Sequence, residues 1–144
     1  MKIIKISTDL ELTEHEFPTG TISEQNEFLR NLIGEGCDIY EHVLPNRLYT
    51  KLKMKTRPTN IPGQCVSMLI DEEGLMKDGR IVVNPVGSYL YETDKHGYPI
   101  VGDILFVGEE WSGDGIEFCG IEESVFNQLK EELNHIISGF KKGE

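Results

Sequence analysis

The chain holds no run of 18 apolar residues, no CxxC pair and no two histidines at metal-ligand spacing. Without the first, no membrane-spanning helix is expected. Without the second, zinc ribbons and CxxC redox chemistry drop out, and three cysteines (Cys37, Cys65, Cys119) cannot form an even disulfide framework. A reducing cytoplasm is therefore the expected location. The opening MKIIKIST is too short an apolar run for a signal peptide.

Reaction signatures are missing as well. Gly97 and Gly102 have the GxxxxG spacing of a phosphate loop, but Asp103 stands where that loop requires lysine and Ile104 where it requires Ser or Thr. A carboxylate there repels phosphate. Gly113, Gly115 and Gly120 miss the GxGxxG pattern of dinucleotide sites. Asp71, Glu72, Glu73, Asp94, His96, Asp103, Glu109 and Asp114 match neither HExxH nor the EF-hand loop, so no metal and no cofactor is implied. Cys65, Cys119 and the serines, with His42, His96 and His135, supply nucleophile and base types, yet no GxSxG or cysteine signature joins them. Binding without turnover is the leading expectation.

What is present is an ordinary globular composition. The 144 residues are 38% hydrophobic and 27% charged, enough for one domain with its own core. A net charge of −11 excludes broad nucleic-acid binding, which needs clustered Lys and Arg. Between His42 and Ile70, however, lie Arg47, Lys51, Lys53, Lys55 and Arg57 with no acid among them. Such an island suits a small anion, or the acidic patch of a partner.

Patterning predicts an α+β fold: a single, mostly antiparallel sheet of about six to eight short strands, carrying an N-terminal-half helix and a long C-terminal amphipathic helix. Lys2–Thr8 and Glu11–Phe17 alternate as two strands. Thr21 and Glu24 have capping-box spacing ahead of a helix to Ile33, stopped by Gly34 or Gly36. Cys37–Leu44 alternates as a strand, with Ile39 and Val43 on one side, until Pro45. The basic segment reads two ways: a short helix through Leu48, Tyr49 and Leu52, or an edge strand guarded by Lys51, Lys53 and Lys55. Gln64–Gly108 reads as a four-run antiparallel meander, and Asp114 sits in the turn before a last strand at 116–121. Ser124 is placed to cap the final helix, with Val125, Phe126, Leu129, Leu133, Ile136, Ile137 and Phe140 inward and Lys130, Glu131, Glu132 and Asn134 toward water.

Aromatics beside Arg and Lys are what a nucleotide-type ligand requires, stacking for the ring and charge for the phosphate. Tyr89 and Tyr91 share one side of an expected strand, and Trp111 follows. The candidate ligand-binding set is thus Arg47, Lys51, Lys53, Arg57, Tyr89, Tyr91 and Trp111. A homo-oligomer with a pocket between subunits is a further expectation.

One resemblance adds context. Ile70-Asp71-Glu72-Glu73-Gly74-Leu75, then Asn84, then Ile100-Val101-Gly102-Asp103-Ile104-Leu105-Phe106-Val107-Gly108 resembles the domain of unknown function 3846 family over about residues 64–121. The chain departs from it at Pro85, which stands where a basic residue often follows the Asn. The resemblance implies a small protein of a bacterial mobile element or phage and brings no activity with it. In that context three functions follow: sequestration of a small anionic nucleotide-type signal to counter host defence, inhibition of a host protein through the acidic surface, or hydrolysis of a nucleotide signal with His96 or His42.

Overall fold

The alternation of the N-terminal segment is realised as a hairpin of β1 (Lys2–Ile6) and β2 (Leu12–Glu16), paired from Lys2–Glu16 to Ile6–Leu12. Its loop closes with Leu10 donating to the Ser7 carbonyl and standing at φ 67. A left-handed leucine costs roughly 1–2 kcal/mol. Burying its side chain, 8% exposed, offsets that with about 2 kcal/mol.

The computed structural model describes residues 1–34, 37, 40–72, 82–113 and 115–142. Within them the sheet has six strands in the order β2-β1-β5-β4-β3, with β6 (Gly115–Cys119) also paired to β5 (Ile104–Ser112). One edge of β5 meets β4 (Cys65–Asp71); the other meets β1 at Ile104–Phe106 and then β6 at Gly108–Ser112. β3 (Tyr40–Val43) runs antiparallel to β4 at the far side.

Period-2 alternation sorts side chains to two faces. Leu69, Leu105 and Val107 meet Leu29 and Ile33 of α1 (Ile22–Ile33), whose capping box at Thr21 and Glu24 is formed as the sequence predicts. Val66, Met68, Ile104 and Phe106 meet three helices on the opposite face. These are α2 (Asn46–Leu52) through Leu48, α3 (Pro85–Tyr91) through Val86 and Leu90, and α5 (Glu123–Lys142) through Phe126, Leu129, Leu133 and Ile137. At roughly 1.5–3 kcal/mol per fully buried large apolar side chain, these contacts hold the helices down. α4 (Thr93–His96) is a single turn.

Several expectations are corrected. Gln64–Gly108 is not a meander: β4 and β5 are neighbours, but Pro85–Tyr91 between them is helical. Asn84 caps that helix, its Oδ1 accepting from Gly87 N–H at 3.1 Å, and Pro85 at the first turn has no N–H to give to a strand ladder. The basic segment takes the helical form, so Lys51 is not on an edge strand; Lys53 ends α2 at φ 52, and Lys55 makes one isolated bridge with Cys65. Glu122, not Ser124, caps α5, accepting from Val125 N–H at 3.1 Å. Glu132 does not face water; it is 7% exposed. Gly34 ends α1 in extended backbone at φ 168. Gly36, Ile39, the turn residues Glu73–Gly74 with the run to Ile81, and Asp114 lie outside the described residues.

Candidate functional site

α2, one of the two forms expected of the basic segment, and α3, expected as a strand, lie side by side and converge on α5. Arg47 on α2 links them. Its Nη1 donates to the Tyr89 carbonyl at 2.8 Å, its Nη2 to Asp94 Oδ1 at 3.0 Å, and its guanidinium lies 4.4 Å from the Tyr89 ring centroid. Glu92 adds a weaker contact to Arg47 Nε at 3.9 Å and pairs with Lys95 at 2.8 Å. The Phe140 ring of α5 meets Tyr89 edge-on at 6.2 Å. One turn along α2, Lys51 Nζ reaches Glu132 at 3.1 Å.

The three helices leave a groove of three adjoining cavities. One of about 330 Å³ is bordered by Arg47, Lys51, Tyr89, Glu92, Lys95 and Glu132. A second of about 290 Å³ lies against Tyr89, Ile136, Gly139 and Phe140. A third of about 570 Å³ runs past Lys53, Gln128, Glu131 and His135. Lys51 borders all three.

Of the residues expected to bind a ligand, the fold brings Arg47, Lys51 and Tyr89 together, with Lys53 at the groove's far end. Tyr91 turns away, because residues two apart on a helix point about 200° apart. It stacks near His96 at 4.8 Å and borders a separate cleft of about 300 Å³ with Tyr98 and the acids Glu41, Asp71 and Glu72. Trp111 follows Leu105, Val107 and Glu109 in alternation, so it lies on the α1 face, its Nε1 donating to the Pro58 carbonyl at 3.0 Å. Arg57, exposed beside that loop, is not among the residues bordering the groove.

The positive island is thus partly neutralised where it meets the groove. Arg47 spends Nη1 on the Tyr89 carbonyl and Nη2 on Asp94 and lies over the Tyr89 ring. Lys51 and Lys95 are 56% and 66% exposed at the side chain and spend one direction each on Glu132 and Glu92, so their ammonium groups retain donors for a ligand. Glu132, Phe140, His135 and Gly139 were missed as site residues. The signal for Glu132 was its place in the helical series Val125, Leu129, Glu132, Ile136.

A second polar cluster lies under the α1 face. The Ser67 hydroxyl donates to Glu109 Oε1, Cys65 Sγ lies 3.8 Å from the same oxygen, and His42 Nε2 lies 3.7 Å from it. Burial first, then the Glu109 charge, pushes the Cys65 thiol up to about 12. All the residue types of a hydrolytic triad are here in the wrong order: the carboxylate stands between serine and histidine, and Ser67 is fully buried. A triad requires the histidine to receive the serine proton. Asn84, which the resemblance singled out, is also structural: its Nδ2 donates to the Ile6 carbonyl at 3.2 Å and the Gly102 carbonyl at 3.0 Å. Among the described residues no group of three or more His, Cys, Asp or Glu side chains is placed to hold a metal, and no helix is long and apolar enough to cross a membrane.

No protein family, curated protein or solved structure matches this chain.

Proposed function

We propose that the protein binds a small anionic, ring-bearing ligand of nucleotide type in the α2–α3–α5 groove and holds it without turnover. The observation that carries this is the Tyr89 ring, fixed on one side by Arg47 at 4.4 Å and bordered by Phe140, at the edge of cavities lined by Lys51 and Lys95. An aromatic wall supplies stacking worth about 1–3 kcal/mol per base. Half-exposed lysines supply charge for a phosphate without breaking their own pairs. Cavities of this size lie within the roughly 300–1,000 Å³ range of small-molecule sites. Among the described residues that border the groove, no nucleophile is paired with a base. In the setting that the resemblance implies, such a protein removes a signal nucleotide from host defence.

Calorimetric titration with a panel of cyclic and ADP-ribose-type nucleotides tests this, with chromatography of the ligand afterwards. At least one nucleotide is expected to bind and to be recovered unchanged. Tyr89→Ala is expected to weaken it by about 5- to 150-fold, the equivalent of one lost stack. Absence of heat from the whole panel overturns the proposal, and conversion of the ligand replaces binding with catalysis.

A further inference from the structure

We infer that the ligand has two parts, a ring held beside Tyr89 and Phe140 and a phosphate-linked polar group that extends past Lys51 toward Lys53 and His135. This rests on the binding function proposed above and names the ligand class: nucleoside diphosphates bearing a second polar group. The cavity against Tyr89 and Phe140, about 290 Å³, has room for one ring between apolar walls. The adjoining cavity, about 570 Å³, is of another character, bordered by the ammonium groups of Lys51 and Lys53 and the His135 imidazole, which suit phosphates, and by Glu131 and Glu132, which accept from hydroxyls. Lys51 and His135 border both, so the two compartments adjoin at a cation with spare donors, where a bridging diphosphate would sit.

Gly139 provides an independent observation. It lies inside α5, where glycine weakens a helix relative to alanine. Apart from its chain neighbours and its own helix backbone, a Cβ added there meets no atom within 4 Å, so no close packing against another element calls for glycine at this position. What the missing side chain leaves is room in the ring compartment, which Gly139 borders together with Tyr89 and Phe140.

The test titrates the protein with two matched pairs, AMP against ADP-ribose and UMP against UDP-glucose, at fixed ionic strength. In at least one pair the two-part ligand is expected to bind about tenfold or more tightly than its mononucleotide, a step of the size one good polar contact supplies. Lys53→Ala is expected to weaken the two-part ligand more than its mononucleotide and so to shrink that advantage; an advantage unchanged by it overturns the extension toward Lys53. Gly139→Leu, which enters open space and favours helix, is expected to abolish both while the free protein melts no lower than before. Equal affinities within each pair, or Gly139→Leu binding as the parent does, overturn the two-part ligand. Silence from all four probes while a cyclic nucleotide binds overturns it alone; silence across the wider panel overturns the groove's function too.

Discussion

Lys51 and Glu132 form an ion pair at 3.1 Å in which one partner is half exposed and the other is 7% exposed, on a helix turn whose neighbours Glu131 and Asn134 face water. The pair joins α2 to α5 at the point shared by the groove's three cavities. Its asymmetry decides its energetics: the lysine keeps much of its hydration, whereas the glutamate without it is a buried lone charge.

Lys51→Ala is accordingly expected to cost about 1–2 kcal/mol in urea unfolding, below the roughly 3–5 kcal/mol of a fully buried pair because Lys51 is 56% exposed. Adding Glu132→Met to it is expected to restore most of that loss. If both single and double variants unfold at the parent's midpoint, the pair contributes nothing.

Asn84 closes three hydrogen bonds at a junction of β1, the Gly102 turn and α3. Asn84→Ala is expected to lose about 2–4 kcal/mol, an N-cap plus two unpaired carbonyls. Asn84→Asp keeps the cap but places a carboxylate against two carbonyl oxygens, so it does not rescue. Thermal melts of the two variants separate capping from cross-linking: recovery in the aspartate variant would show that the cap alone matters.

Gly108 sits where β1 and β6 meet end to end along β5. A Cβ there would lie 2.5 Å from the Gly120 carbonyl oxygen and 2.8 Å from Gly63 Cα, backbone that cannot step aside cheaply. Gly108→Ala is expected to cost about 1–3 kcal/mol, lowering the melting temperature by roughly 2–4 °C per kcal/mol. An unchanged melt would mean the Gly63 loop does not close on the sheet in solution.

Cys65 and Cys119 have thiols pushed up to about 12, chiefly by burial and then by nearby glutamates. Because the folded state holds these protons more tightly than the unfolded chain, their contribution to stability is intact below about pH 9. It declines as pH rises from there toward about 12. At about pH 8 a thiol reagent is expected to leave both unlabelled in the folded protein and to label both in denaturant. Rapid labelling of folded protein would contradict the burial.

Local signals were legible where short-range chemistry decides. The Thr21–Glu24 capping box, the β1–β2 hairpin and the apolar stripe of α5 could be read directly because each depends on residues a few positions apart. The stretch Gly87-Ser88-Tyr89-Leu90-Tyr91 misled because its two tyrosines alternate and aromatic residues favour strands. The Asn-Pro pair ahead of it, cap then first-turn proline, was the overriding signal. Reading it as a helix separates Tyr89 from Tyr91, and of the three expected aromatics only Tyr89 borders the groove.

By itself the sequence determined an acidic α+β domain with one antiparallel sheet, helices on it, and a basic island in its first half. Those follow from composition, periodicity and caps, which act within a turn or a strand. Only the tertiary structure decided which cations meet which acids. Arg47 and Asp94 are 47 positions apart, and Lys51 finds Glu132 on another helix, because the packing of α2, α3 and α5 on one sheet face brings them together. Side chains that distant in the chain leave no periodic trace, so the groove at Tyr89 exists only in the fold.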